Sequence, residues 1–387
     1  MKQTKALVAI AIAASAFSAC NKNADSVSLT EQPQNVSGNY ASPESRAKRS
    51  GAGGDVFTLS NQTSGNMVMV YTQAANGMLT YKTSYSTGGN GMGSGLGSQG
   101  SVAVGDNVLI AVNAGSNTIS SFKITPNKLN LMSTVSSGGT LPISVTVYDD
   151  MVYVLNAGGT ANISGFSLQG NSGKLNPIAN STKPLSTANP GPAQVSFAND
   201  GKVLVVTEKG TSRITSYTVA ADGTPGTMHT LAATTATPFG FGVGNNGNVF
   251  VSHAAGGAAG ASTFSSYNVA ANGVISLVAG PIATGQTAAC WTALSGNGLH
   301  AYVTNAGSAN VSSFNINANS GSATLNMGAA AASGNSPIDA VTSGDYLYVL
   351  NAASHTITVY SGAQSGSITL IQTVTGLPIG DVGLAAE

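Results

Sequence analysis

Glu208 and His253 are the two side chains in this sequence best suited to acid/base chemistry. Each ends a short apolar run, VLVVTE and NVFVSH, where five comparable runs end in asparagine. A carboxylate and an imidazole at one mouth of a fold can share a proton, one acting as base and the other as acid. The competing reading is structural: Glu208 pairs with Lys209 or Arg213, and His253 caps its turn. Cys290 and Trp291 are a second feature. Trp291 is the only tryptophan of the chain. At an opening its ring would stack on a sugar or an aromatic ligand, and inside the fold it would pack between sheets.

Other familiar chemistry is missing its context. GSGLGSQG (93–100) holds a G-x-G-x-x-G spacing but runs into the apolar SVAV rather than opening a helix, so it does not read as a dinucleotide loop. It reads as a flexible connection or as a backbone nest for an anion. The four histidines, 229, 253, 300 and 355, lack metal-ligand spacing. ANDGK and AADGT lack the further acidic residues of a calcium loop, and no G-x-S-x-G elbow is present. We therefore expect no metal and no cofactor.

Composition narrows the class. Only 7% of the 387 residues are charged and the formal net charge is zero. That argues against nucleic acid, which needs a surplus of Lys and Arg on one face. Apolar residues make up 42% and come in short runs, enough for a core. Residues 1–20, MKQTKALVAIAIAASAFSAC, have a basic start, an apolar stretch and small residues before Cys20. This looks like a bacterial lipoprotein signal with Cys20 as the lipidated residue; an ordinary secretory signal is the other reading. No second cysteine then remains to form a disulfide with Cys290, so none is expected in the mature domain. Residues 21–54 are polar and rich in Pro, Gly and Ser, as expected of a flexible tether. The expected location is the cell envelope, anchored by lipid, at the outer membrane and facing the periplasm or the cell surface.

The elements that would position these residues are repeats. Strands ending at Asn61, Asn113, Asn156, Glu208, His253, Asn305 and Asn351 recur at intervals of 52, 43, 52, 45, 52 and 46 residues. Seven copies at this period, β-branched and aromatic with Asn-Gly and Asp-Gly turns, predict an all-β, seven-bladed β-propeller over residues 55–387. Each copy places a short strand before the anchor strand, often opening at proline, and two more after it. The anchor asparagine suits a strand end before a tight turn, where it tolerates the left-handed region and bonds nearby backbone.

The first copy lacks an innermost strand, while PIGDVGLAAE (378–387) is an innermost strand without partners. The C-terminal strand is thus expected to complete blade one. The residues expected to point near the axis are Ser101, Ser144, Gln194, Gly240, Trp291, Asp339 and Gly380. Gln194, Glu208, His253, Cys290, Trp291 and Asp339 form the candidate ligand-binding set.

With its AYVTN and YVLN motifs, and on the stretches NAGSNTISSF (113–122), GPAQVSFANDGKVLVVTEKGTSRITSY (191–217) and AACWTALSGNGLHAYVTNAGS (288–308), the chain resembles the YVTN-type propellers. More specifically, it is similar to the lactonase-like family related to 6-phosphogluconolactonases and carboxymuconate cyclases. The resemblance implies a Pro-Arg-His stretch on an inner strand, sixteen residues before a VNE-type anchor. Here the family's Arg, His and Glu fall on Cys290, Trp291 and Ala306, and a histidine expected on the blade-four inner strand falls within Pro192, Ala193 and Gln194. Opening a lactone by water attack needs a base and an oxyanion stabiliser, and these positions supply neither. The sequence thus favours a monomeric, lipid-anchored propeller that binds a small molecule or a protein partner at a channel mouth. The alternative is a hydrolase of a lactone or similar cyclic ester, with Glu208 and His253 as its acid/base pair.

Overall fold

The computed structural model describes residues 54–105 and 107–387. Its strands form seven antiparallel sheets, six of four strands and one with a fifth short strand, Lys183–Pro184, paired to Asn162–Gln169. The signal and tether read in residues 1–53 lie outside the described residues. The inner strands of blades two to seven are Val102–Gly105, Thr140–Tyr148, Pro192–Ala198, Pro238–Val243, Ala289–Leu294 and Pro337–Ser343.

Blade one closes as the sequence predicts. The C-terminal strand Val382–Ala386 pairs antiparallel with Asp55–Leu59, with Leu59 opposite Val382 and Phe57 opposite Ala385. Val382, Leu384 and Ala385 are buried. The first and last segments of the propeller share one sheet, so the ring has no free strand edge at its seam. The strand begins later than expected, and Gly380 lies just before it with φ +86°.

The repeated Tyr and Asn each have a physical role. Tyr153, Tyr302 and Tyr348 stand three residues before their anchors, and each donates its hydroxyl to a hairpin of the next blade. The acceptors are the carbonyls of Gly223, Ala363 (3.0 Å) and Gly77 (2.9 Å). Burial raises the pKa of all three phenols, so each stays a neutral donor.

The anchor asparagines clamp the turn that follows. Asn113 Nδ2 donates to Thr118 Oγ1 (3.1 Å) and Ser120 Oγ (2.8 Å). Asn305 donates to Asn310 Oδ1 (2.7 Å) and Ser312 Oγ (2.8 Å), and Asn351 to the hydroxyls of Thr356 and Thr358 (both 3.2 Å). The left-handed residue is not the anchor in these blades. It is the residue four positions later: Asn117, Ser212, Ala309 and His355, with φ between 51° and 56°. The side chain of the anchor locks the hairpin while another residue carries the unfavourable φ.

Candidate functional site

The anchor ends of the blades, where the resemblance would put catalytic groups, are closed by the chain itself. The connection from blade one to blade two runs inward over this mouth before entering Val102–Gly105. Asn61 of blade one donates to Ser94 O (2.8 Å), and Ser98 Oγ donates to Ile143 O of blade three (2.8 Å). Gln99 N–H donates to Ala193 O of blade four (3.1 Å), and Lys209 Nζ reaches Gly97 O. Trp291 Nε1 of blade six donates to Ser98 O (2.9 Å). A single segment can touch blades three, four and six of a seven-bladed ring only by crossing its axis. GSGLGSQG is therefore a plug, in which Ser98 and Gln99 are buried.

Trp291 belongs to this seal. Its ring packs on Phe239 with centroids 4.9 Å apart, Cys290 and Ala193 lie in the same apolar cluster, and Lys209 Nζ sits 4.7 Å from the Phe239 centroid. Trp291 is 5% exposed, so its faces are covered by protein. Cys290 is buried and is not in a disulfide.

Glu208 and His253 are both fully buried, and no hydrogen bond joins them. Glu208 accepts from Ser186 N (3.1 Å), Ser186 Oγ, Thr211 Oγ1 (2.8 Å) and Thr215 Oγ1 (2.8 Å). Arg213 instead donates to Thr230 Oγ1 at 3.4 Å. His253 Nε2 lies 3.4 Å from Thr234 Oγ1 and 3.5 Å from the Tyr267 hydroxyl. The two share no hydrogen-bonding partner. Burial drives the imidazole pKa down to about 3, opposed by a backbone contact at Thr235, so the ring is neutral near pH 7. Glu208 holds the turn of its blade, as the asparagines do elsewhere, while His253 contacts the connection from blade four at Thr234 and the next strand at Tyr267. The Gly/Ala loop after His253 begins with a single helical turn, Ala255–Gly257, and ties to blade six through Ala289 N donating to Ser262 Oγ (2.9 Å).

The predicted axis positions form a belt of clasps between inner strands. Ser101 Oγ donates to Ile143 O (3.1 Å), Ser144 Oγ accepts from Val195 N (3.2 Å), and Asp339 Oδ2 accepts from Leu384 N (3.1 Å). Gln194 grips both polar atoms of Phe241, donating to its carbonyl (2.9 Å) and accepting from its N–H (2.7 Å). Gly240 has no side chain to do the same for blade six. Gln99 of the plug does it instead, donating to Thr292 O (2.8 Å) and accepting from Thr292 N (3.1 Å). A Cβ built on Gly240 would stand 2.1 Å from Gln99 Oε1.

Beyond this belt the channel is open at the opposite mouth. A cavity of about 190 Å³ is floored by Gln99, Gln194, Thr292 and Asp339 and rises to Ser196, Ser295 and Thr342 near the inner-strand ends. Among the described residues that line it, Asp339 and Glu387 are the charged ones. The structure thus separates the six candidate ligand residues. Gln194 and Asp339 line the open cavity, while Glu208, His253, Cys290 and Trp291 lie at the plugged end. The plug and the cavity behind it escaped sequence reasoning, because the only local signal was a run of glycines.

The seven sheets, the closure at blade one and the channel define a seven-bladed β-propeller, and solved structures described as 6-phosphogluconolactonases or gluconolactonases share this fold. A candidate 6-phosphogluconolactonase from Bacteroides uniformis is 18% identical, with a TM-score of 0.67 over 86% of this chain and 99% of that one. The periplasmic gluconolactonase PpgL of Pseudomonas aeruginosa is 16% identical, with a TM-score of 0.66 over 85% and 99%. A Lactobacillus plantarum protein is 19% identical, with a TM-score of 0.68 over 87% and 99%. No protein-family model and no curated protein matches the sequence. At these identities the likeness is one of fold.

Proposed function

We propose that this chain is a cell-envelope binding protein, tethered by lipid at Cys20, whose propeller receives a small molecule or a partner at its open mouth. The plug carries this reading. It fills the mouth where a lactonase of this fold would hold its substrate, and Cys290, Trp291 and Ala306 stand where Arg, His and Glu are expected. His253 is neutral and desolvated, and Glu208 is occupied by hydroxyl and backbone donors. A general base must reach the proton it takes. Neither group has a route to solvent at this mouth.

Purified protein incubated with a panel of phosphorylated and unphosphorylated sugar lactones tests the reading. The expected result is no ring opening above the uncatalysed rate. Turnover that vanishes in Glu208→Gln and His253→Ala would replace the binding reading with the hydrolase. Metabolic labelling with a palmitate analogue tests the anchor: label is expected on the native chain and not on Cys20→Ala.

A further inference from the structure

We infer that residues 378–381 form a proton-operated latch over the root of the plug, held closed while Asp381 is protonated and released when it ionises. The latch is independent of what the open mouth binds. It is built at the seam, where the last ladder pair is Leu59 with Val382. Beyond that pair, side chains hold the returning chain. Thr58 Oγ1 donates to Val382 O (3.3 Å), Asn61 Nδ2 to Gly380 O (2.9 Å) and Gln62 Nε2 to Ile379 O (2.7 Å). The same residues hold the plug. Asn61 Nδ2 also donates to Ser94 O (2.8 Å), Asn61 O accepts from Gly93 N (2.7 Å), and Gln62 O accepts from Gly91 N (2.8 Å). Gly380 lies so close that a Cβ built on it would stand 2.6 Å from the carbonyl of Gly93. Seam and plug root are one hydrogen-bonded unit, so a shift in one disturbs the other.

Asp381 follows Gly380 directly and is fully buried. Among the described residues, no other residue donates to either of its carboxyl oxygens. Burial raises the carboxyl to about 7, opposed only by its own backbone N–H. A carboxylate ionised in such a place is costly unless water reaches it. The route is short, because Ile379, two residues back, is 73% exposed. Tyr71, on the strand Met67–Gln73, is the titratable side chain that feels the charge of Asp381. Burial first and Asp381 second push that phenol up to about 12, so it stays neutral here. Asp339 of the blade-seven inner strand is turned to Leu384 N, and Lys209 to Gly97 O at the far end of the plug. With the carboxyl at its ordinary 3.8 in the open form and about 7 in the closed one, closure is favoured most in acid. The open fraction then grows about tenfold per pH unit between those values and levels off above them.

Amide hydrogen exchange from about pH 4 to 8, corrected for the intrinsic rate, tests the latch. In the native chain, protection of residues 376–382 and 91–94 is expected to fall together, about tenfold per pH unit, and to flatten above about pH 7. The blade-three strand Met151–Gly158 should keep its protection. Emission from Trp291, the sole tryptophan, should hold steady, because the far end of the plug stays bonded to blades three, four and six. Asp381→Asn should abolish the slope in both segments. Asn61→Ala, which cuts the bridge between seam and plug, should keep the slope at 376–382 and lower the protection of 91–94 at every pH. A flat profile overturns the latch, as does a slope confined to 376–382. Equal loss in Met151–Gly158 does so too, since the opening is then global. A slope that survives in Asp381→Asn, or a plug root as protected in Asn61→Ala as in the native chain, also overturns it. If Asp381→Asn does not fold, the native profile and Asn61→Ala decide.

Discussion

The Gln99 amide fills the space where a side chain on Gly240 would be, and grips Thr292 N and O at 3.1 and 2.8 Å. Gln194 makes the same two-point grip on Phe241 one blade earlier, from its own inner strand. The plug therefore completes the belt that holds the ring closed. Gln99→Ala leaves a buried N–H and C=O of Thr292 without their partner, each costing about 1–3 kcal/mol. Gly240→Ala forces the Gln99 amide out of the same grip. The two substitutions should therefore be less than additive when combined, as a double-mutant cycle of chemical denaturation would measure. Full additivity would separate the plug from the belt.

Deleting residues 378–387 removes the strand paired to Asp55–Leu59 and exposes both the sheet edge and the apolar face beneath it. The truncated chain is expected to lose cooperative unfolding by calorimetry. A melting transition equal to that of the full chain would refute ring closure through this strand.

Two buried groups set opposite pH dependences. Burial lowers His253 to about 3, so between pH 3 and its ordinary value of 6.5 the unfolded chain binds a proton that the folded one does not, and stability falls as pH falls. Asp381 is fully buried, and burial raises it to about 7 from 3.8, opposed only by its own backbone N–H. Between those values the folded chain holds the extra proton, so stability falls as pH rises. The two slopes oppose each other in the range they share. In His253→Gln the loss of stability toward neutral pH should emerge, up to about 4 kcal/mol for a shift of three units. In Asp381→Asn the acid limb alone should remain. Denaturant midpoints from about pH 4 to 8 check both signs, and a flat profile in either variant would contradict its assignment.

Asn305→Ala removes the clamp on Asn310 Oδ1 and Ser312 Oγ. A cost of about 1–3 kcal/mol is expected, because the buried Ser312 hydroxyl and the half-buried Asn310 oxygen lose their donor. Asn310→Ala should cost less, since Ser312 still receives the clamp. Urea midpoints would rank the two, and the reverse order would place the clamp elsewhere.

The repeats were legible because their physics is local. A tyrosine three residues before the anchor, an asparagine bonding five and seven residues on, and a continuously buried anchor strand all act within one hairpin or toward the next blade. Their spacing in the chain is their spacing in space. Blade count and the closure of blade one by residues 378–387 followed from that grammar, although the strand itself runs only over Val382–Ala386. The plug, the belt and the open cavity did not. Gln99 and Thr292 are 193 positions apart and meet only because the ring closes. The same closure brings Trp291 to Ser98. The sequence alone determined the architecture and the closure of blade one. Only the tertiary structure decided which mouth is closed, because seven inner strands converging on one axis create contacts that no local pattern encodes.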